Sequence, residues 1–310
     1  MSKPLAGGLV LVGVVSLLAG AARAQDVQEQ PPPDVQETSP SPPDAVLPQS
    51  PPPEQPAPRP ESGDPPFFKL LFKDMGHVLA SPVHWSGGEW AITFVTIGGA
   101  AGVSTQDDEV YAWAKKQTGA WRDLADSGEW FGTWYGVLGL LGGFYVEGAI
   151  FHDTKAKRVC IDGLIAAGIA DGLITSVIAT GVGRERPDKN EGAYKFRPFH
   201  GRSFPSGHVT TMFALASVIS ASYDYSPVVS VLAYGTALAG SYARLRKGAH
   251  FLSDELVAAV IGQAVGNTVV HYNRGVRAGY AEERARKRRF AVMPFVPDGG
   301  GVGIRVTLTD

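Results

Sequence analysis

Between Trp90 and Tyr272 the chain is divided into six apolar stretches of helical length, about Trp90–Thr105, Trp130–Phe151, Cys160–Val182, Gly207–Tyr223, Pro227–Ala243 and Glu255–Tyr272. All six are rich in Ala, Gly, Val and Ser. Small residues at that density let helix backbones approach closely, so the pattern predicts an all-α bundle of about six helices. Asp162 and Asp171 interrupt the third stretch and Glu147 the second, positions at which a lipid-facing charge is expensive. Charge in the connections orders the spans. If the chain enters from outside and all six stretches cross, the basic tail Arg274–Arg289 falls outside, against the positive-inside tendency. If the first does not cross, the other five put His152–Arg158 and the basic tail inside and two Arg-rich connections outside. Five spans are therefore expected, with a bundle lacking spans as the alternative.

The segment before the bundle has another character. Lys3, the apolar run Leu5–Leu18 and the small-x-small triplet Ala22-Arg23-Ala24 predict a signal peptide over 1–24, cut before Gln25, with an uncleaved anchor as the alternative. Residues 25–66 hold 15 of the 23 prolines, interleaved with Gln, Glu, Asp and Ser. Such a segment buries too little apolar surface to fold and predicts an extended spacer. The helical domain is then 67–289. At the far end, two apolar runs within 290–310 flank Pro297-Asp298-Gly299-Gly300 and predict a β hairpin. A balance of 28 basic and 30 acidic residues gives no sign of a nucleic-acid partner. Cys160 is alone and reads as core.

The chemistry-bearing residues crowd into the two Arg-rich connections. Gly181-Val182-Gly183-Arg184-Glu185-Arg186-Pro187 follows the third stretch, where Pro187 predicts a helix stop with two guanidiniums beside it. Ser203-Phe204-Pro205-Ser206-Gly207-His208 opens the fourth. Ser206 suits an N-cap, the free N–H groups of a helix start favour an anion, and Gly207 leaves phosphate room to reach them. His208 then stands on the first turn. Farther on, Arg244 precedes His250 and Asp254, whose i, i+4 spacing on a helix would set the carboxylate beside the imidazole. One paired and one unpaired histidine suit a nucleophile and a proton donor. His77, His84, His152, His200 and His271 show no ligand spacing, and no metal or other cofactor is expected.

In this order the three pieces resemble the phosphatidic acid phosphatase type 2 (PAP2) superfamily, which includes bacterial acid phosphatases and vanadium haloperoxidases. The family pattern is Lys, six residues, Arg-Pro; then Pro-Ser-Gly-His; then Ser-Arg, five residues, His, three residues, Asp. Arg186-Pro187, Pro205-Ser206-Gly207-His208 and Arg244 with His250 and Asp254 match it, over about 181–262. Ala179 stands where the family has lysine, and Ala243 where it has serine. A charge-assisted contact of the missing kind contributes roughly 1.5–3 kcal/mol, about one to two decades in rate if felt in the transition state. Arg184 is the expected replacement, with Lys189 behind it.

The resemblance implies that His250 attacks phosphorus to give a phosphohistidine, with Asp254 holding its ring. It implies that Arg186, Arg244, Ser206 and the Gly207 N–H bind the equatorial oxygens, and that His208 protonates the leaving group and then activates water, without a metal. The expected function is hydrolysis of a lipid phosphomonoester or pyrophosphate at the periplasmic face of an inner membrane. Phosphatidate, undecaprenyl diphosphate and a lipid A phosphate are suitable anionic phospholipid or isoprenoid phosphate substrates. The alternatives are a soluble periplasmic acid phosphatase, a vanadate haloperoxidase, and a silent envelope protein that binds anionic lipid.

Overall fold

The structure, a computed structural model, describes residues 64–288, 290–295 and 303–308. The signal peptide, most of the spacer and the expected turn at Pro297–Gly300 lie outside the described residues. The chain divides into two units, the larger spanning Pro66–Val276 and the other carrying the C-terminal part from Arg277.

The larger unit is all helical. Its helices are α1 (Phe67–Ala80), α2 (Gly87–Ser104), α3 (Asp107–Lys116), α4 (Ala120–Gly128), α5 (Trp134–Ile150), α6 (Thr154–Val182), α7 (Gly207–Ser222) and α8 (Pro227–Arg246), followed by α9 (Leu252–Arg288), which runs on past the unit's end. Local sequence sets most of the starts. Ser86 and Glu89 form a reciprocal capping box at α2, and Thr133, Asp153 and Ser206 cap α5, α6 and α7 through their side chains. The six expected stretches fall on α2, α5, α6, α7, α8 and α9. The acidic segment after α2 forms α3 and α4, two short helices of more polar composition than the six apolar stretches.

α7 is the hub. Thirteen of its residues are buried, and it packs against α6 and α8. Against α9 the approach is close enough to exclude side chains. A Cβ on Gly262 would lie 2.3 Å from Thr210 O, one on Gly266 2.5 Å from Ala214 O, and Ser217 Oγ donates to Gln263 O at 3.0 Å. Ring packing settles two of the tryptophans: Trp113 and Trp121 both meet Tyr242 edge-on, at 6.5 and 5.7 Å, while Trp134 is 74% exposed.

Among the described residues one helix, α6, is long and apolar enough to cross a membrane by length and composition, against the five expected. α7 is apolar but has only 16 residues, and its apolar side chains fill the protein core. In the C-terminal unit Phe290–Phe295 pairs antiparallel with Gly303–Leu308, Val292 opposite Val306.

The crossing of α7 and α9 makes a stability prediction. Gly262→Ala forces the two backbones apart and should cost about 1–3 kcal/mol. Gly275→Ala, where a Cβ meets nothing within 4 Å, should add about 0.5–1 kcal/mol through helix propensity. Denaturant unfolding of the two variants side by side checks both signs.

Candidate active site

α6 ends in a turn that only glycine makes easily. Gly183 has φ +61°, and a Cβ there would lie 2.1 Å from Arg197 O. The next residue, Arg184, is 3% exposed and uses its whole guanidinium. Nε donates to Ala193 O at 2.8 Å, Nη1 to Asp254 Oδ1 at 2.6 Å and Ser253 Oγ at 2.7 Å, and Nη2 to Asp107 Oδ2 at 2.8 Å. The plane lies over the Phe251 ring, 4.3 Å from its centroid. Ser253 passes the bonding on, donating to Asp107 Oδ2 at 2.5 Å from its hydroxyl and to Asp107 Oδ1 at 3.0 Å from its N–H. Arg184 therefore does not replace the lysine missing at Ala179. All three of its nitrogens bond to protein acceptors in a buried position, so it is built into the scaffold and not turned toward phosphate. Lys189 sits exposed on a short 3₁₀ turn.

The pairing expected of His250 also changes. α8 stops at Arg246, Gly248 takes φ +69° against Tyr111, and α9 begins only at Leu252. His250 and Asp254 are thus not four apart on one helix, and no bond joins them. His250 Nδ1 instead meets Ser203 O at 2.7 Å. A carbonyl can only accept, so Nδ1 carries the proton and Nε2 keeps its lone pair. Asp254 acts one step back: its Oδ2 accepts from Ser203 Oγ at 2.6 Å and from the Phe251 N–H at 2.9 Å. It fixes the residue that fixes the ring and the residue that follows the ring.

Charges follow from this. Burial, then the nearby Arg244, Arg186 and His208, push the His250 imidazole down to about 3, with the Ser203 carbonyl pulling the other way. It is neutral at any ordinary pH. Burial pushes the Asp254 carboxyl up to about 6, against Arg184, Ser203 and the Phe251 N–H, which favour its charged form.

The remaining predicted residues gather around that imidazole. Ser206 is fully buried, accepts from the Val209 N–H at 3.4 Å, and donates its own N–H to Asp254 O at 3.5 Å. This ties the start of α7 to the start of α9. Gly207 is needed for a reason other than the one expected: a Cβ would lie 2.5 Å from Asp171 Oδ1, a carboxylate that also takes the Thr211 hydroxyl at 3.2 Å. The ring of His208 packs against Gly132, where a Cβ would come within 3.2 Å of it. Arg186 is exposed at the head of the 3₁₀ turn. Arg244 lies at the end of α8, Nη1 3.5 Å from Glu129 Oε1, with its buried Nε lacking a hydrogen-bond partner among the described residues.

Sequence reading missed Ser203, Ser253, Asp107, Asp171 and Glu129. Ser203 lies within the stretch that drew attention, but it acts through its carbonyl, which no residue type announces. Asp107 and Glu129 come from the segment between the first and second apolar stretches, which carries no motif.

A neutral imidazole whose Nε2 keeps its lone pair, two guanidiniums and a capped helix start form an arrangement suited to holding an anion beside a nucleophilic nitrogen. Residues 163–277 match the model of the PAP2 superfamily, which bears out the resemblance over that stretch. The crystal structure of LpxE from Aquifex aeolicus is similar, with 24% identity over 53% of this chain and 94% of that one, at a TM-score of 0.42. A transmembrane PAP2-type phosphatidylglycerolphosphate phosphatase of Bacillus subtilis shows 19% identity over 69% and 96%, also at 0.42. No curated protein sequence matches.

Removing Arg184 tests its reassignment. Arg184→Met leaves Asp107 and Asp254 buried without their cation, a loss of about 3–5 kcal/mol, read as a lower midpoint in denaturant unfolding. A guanidinium that served only phosphate would leave stability untouched.

Proposed function

We propose that this chain hydrolyses a phosphomonoester or pyrophosphate on a lipid through a phosphohistidine at His250. The observation that carries the reading is the 2.7 Å bond from His250 Nδ1 to Ser203 O, which presents a neutral Nε2 beside two arginines. Nε2 attacks phosphorus; Arg186, Arg244, the Ser206 hydroxyl and the Gly207 N–H hold the equatorial oxygens as charge spreads over them. Burial, then Arg244 and Arg186, push the His208 imidazole down to about 4, with Glu129 pulling the other way; the negative charge of a phosphate set against it raises that value, and the ring then gives a proton to the departing oxygen. It then takes one from the water that releases phosphate and restores Nε2. Asp254 and Arg184 are positioning residues. Arginines and backbone donors supply the charge stabilisation, so the reaction is expected to proceed in EDTA.

A lipid substrate is supported by the surface. α2 buries only Ala100 and exposes Ile92, Phe94, Val95 and Ile97 at 58–74%, and α5 and α8 add Leu138, Val146, Ile150, Val231 and Leu238 at 51–71%. Apolar exposure on that scale marks a membrane or partner contact. We place the chain at an inner membrane with the site on the periplasmic side, preceded by a signal peptide and a Pro-rich spacer. The single span-length helix favours a second reading, a soluble periplasmic phosphatase of broad range. Release from membranes by carbonate would select it; extraction by detergent alone selects the lipid enzyme.

Phosphate release from phosphatidate and undecaprenyl diphosphate micelles, in EDTA, tests the activity. Wild type should turn over and His250→Ala should not. Equal release by both would remove His250 from the reaction.

The pH profile has a predicted sign. His250 needs no deprotonation above about pH 3, so the acid limb belongs to Asp254. As pH falls through about 6 the carboxylate is protonated, loses its charge pair with Arg184, and activity falls. Ser203→Ala removes a bond that favours the charged form, so its acid limb in kcat/KM should move to higher pH while the carbonyl on His250 remains.

A further inference from the structure

Glu129 and Lys247 stand beside the site and belong to no part of the motif. Glu129 opens the 3₁₀ turn Glu129–Gly132, whose last residue packs against the His208 ring; Lys247 follows directly on α8. The two oxygens of Glu129 are divided between two cations. Oε1 faces Arg244 Nη1 at 3.5 Å and Oε2 takes the Lys247 ammonium. One carboxylate thus bridges a phosphate-binding arginine and a lysine, on the wall that carries the proposed proton donor.

The bridge is loosely made on the arginine side. At 3.5 Å its contact is long for a charge-assisted bond, and the buried Nε of Arg244 has no hydrogen-bond partner among the described residues. Donor capacity is left over for an anion with more oxygens. Glu129 and Lys247 are both about one-third exposed, and lysine is a point charge on a four-carbon stem that can follow a ligand. A phosphate group brings up to two charges and three oxygens where Glu129 brings one and two. Arg184 is locked away and Ala179 offers no charge, so a cation beyond Arg186 and Arg244 has to come from elsewhere.

We propose that Lys247 is a third cation of the phosphate site beside Arg186 and Arg244, filling the role vacated at Ala179, and that Glu129 is an internal anion which occupies Lys247 and Arg244 until phosphate displaces it. This rests on the phosphatase reading of the same site. Glu129 then sets a threshold: ligands with a dianionic phosphate displace it, and singly charged ones such as a phosphodiester or carboxylate compete poorly.

Calorimetric titration of the full chain with orthophosphate tests this, alongside phosphate release by the same preparations. Glu129→Gln should bind orthophosphate about tenfold tighter, and Lys247→Gln about tenfold weaker, the size expected for one charge-assisted contact. Lys247→Arg should restore most of the affinity, and Lys247→Gln should still weaken binding in the Glu129→Gln background. A merely structural ion pair would shift the unfolding midpoint of both variants and leave their phosphate affinities at the wild-type value. That result, with wild type binding phosphate and His250→Ala inactive, would overturn the inference while the phosphatase reading stands. Wild type that neither binds nor releases phosphate would overturn both.

Discussion

The Arg184 guanidinium is the point on which the arrangement of the site turns. It draws Asp107 from α3, Asp254 and Ser253 from α9 and the Ala193 carbonyl from the loop after α6 onto one buried plane. Arginine alone among the cations presents a rigid fork that can meet so many acceptors at once. Because Asp254 is held there, its other oxygen can hold Ser203 and Phe251, and through Ser203 the ring of His250. The imidazole of His250 is oriented by a backbone carbonyl whose own position is set by an ion pair two contacts away.

This arrangement divides two duties that a single carboxylate often combines. A carboxylate in direct contact with an imidazole fixes its tautomer and also raises its basicity. Here the carbonyl fixes the tautomer, and the carboxylate is kept for holding the loop. The imidazole, buried and close to Arg186 and Arg244, stays neutral. In the proposed reaction those two arginines serve twice, favouring the neutral ring before attack and meeting the phosphate oxygens during it.

How much of this the sequence disclosed depended on whether a residue acts by type or by place. The helices were legible because Ala, Gly, Val and Ser runs at helical length have few other solutions, and the cap Ser206 sits where its chemistry requires. His250, His208, Arg186 and Arg244 were legible as a set. Arg184 was misread because spacing along the chain says that a cation is present and nothing about what surrounds it; only the fold brings Asp107, 77 residues away, onto its Nη2. The His250–Asp254 pairing was misread because it assumed that 250–254 is helical, and α9 begins only at Leu252, which leaves His250 outside it. Ser203 and Glu129 act through a carbonyl and through a long-range bridge, which leave no mark in residue spacing.

The claim that governs the rest is that His250 Nε2 takes the phosphoryl group. Rapid quenching of wild type with a radiolabelled lipid phosphate, followed by digestion at alkaline pH, where a phosphohistidine survives, and mass spectrometry, tests it directly. The account predicts label on the peptide that contains His250, lost on acid treatment and absent from His250→Ala. Label on another residue would contradict it. So would phosphate release at full rate with no labelled protein at any quench time.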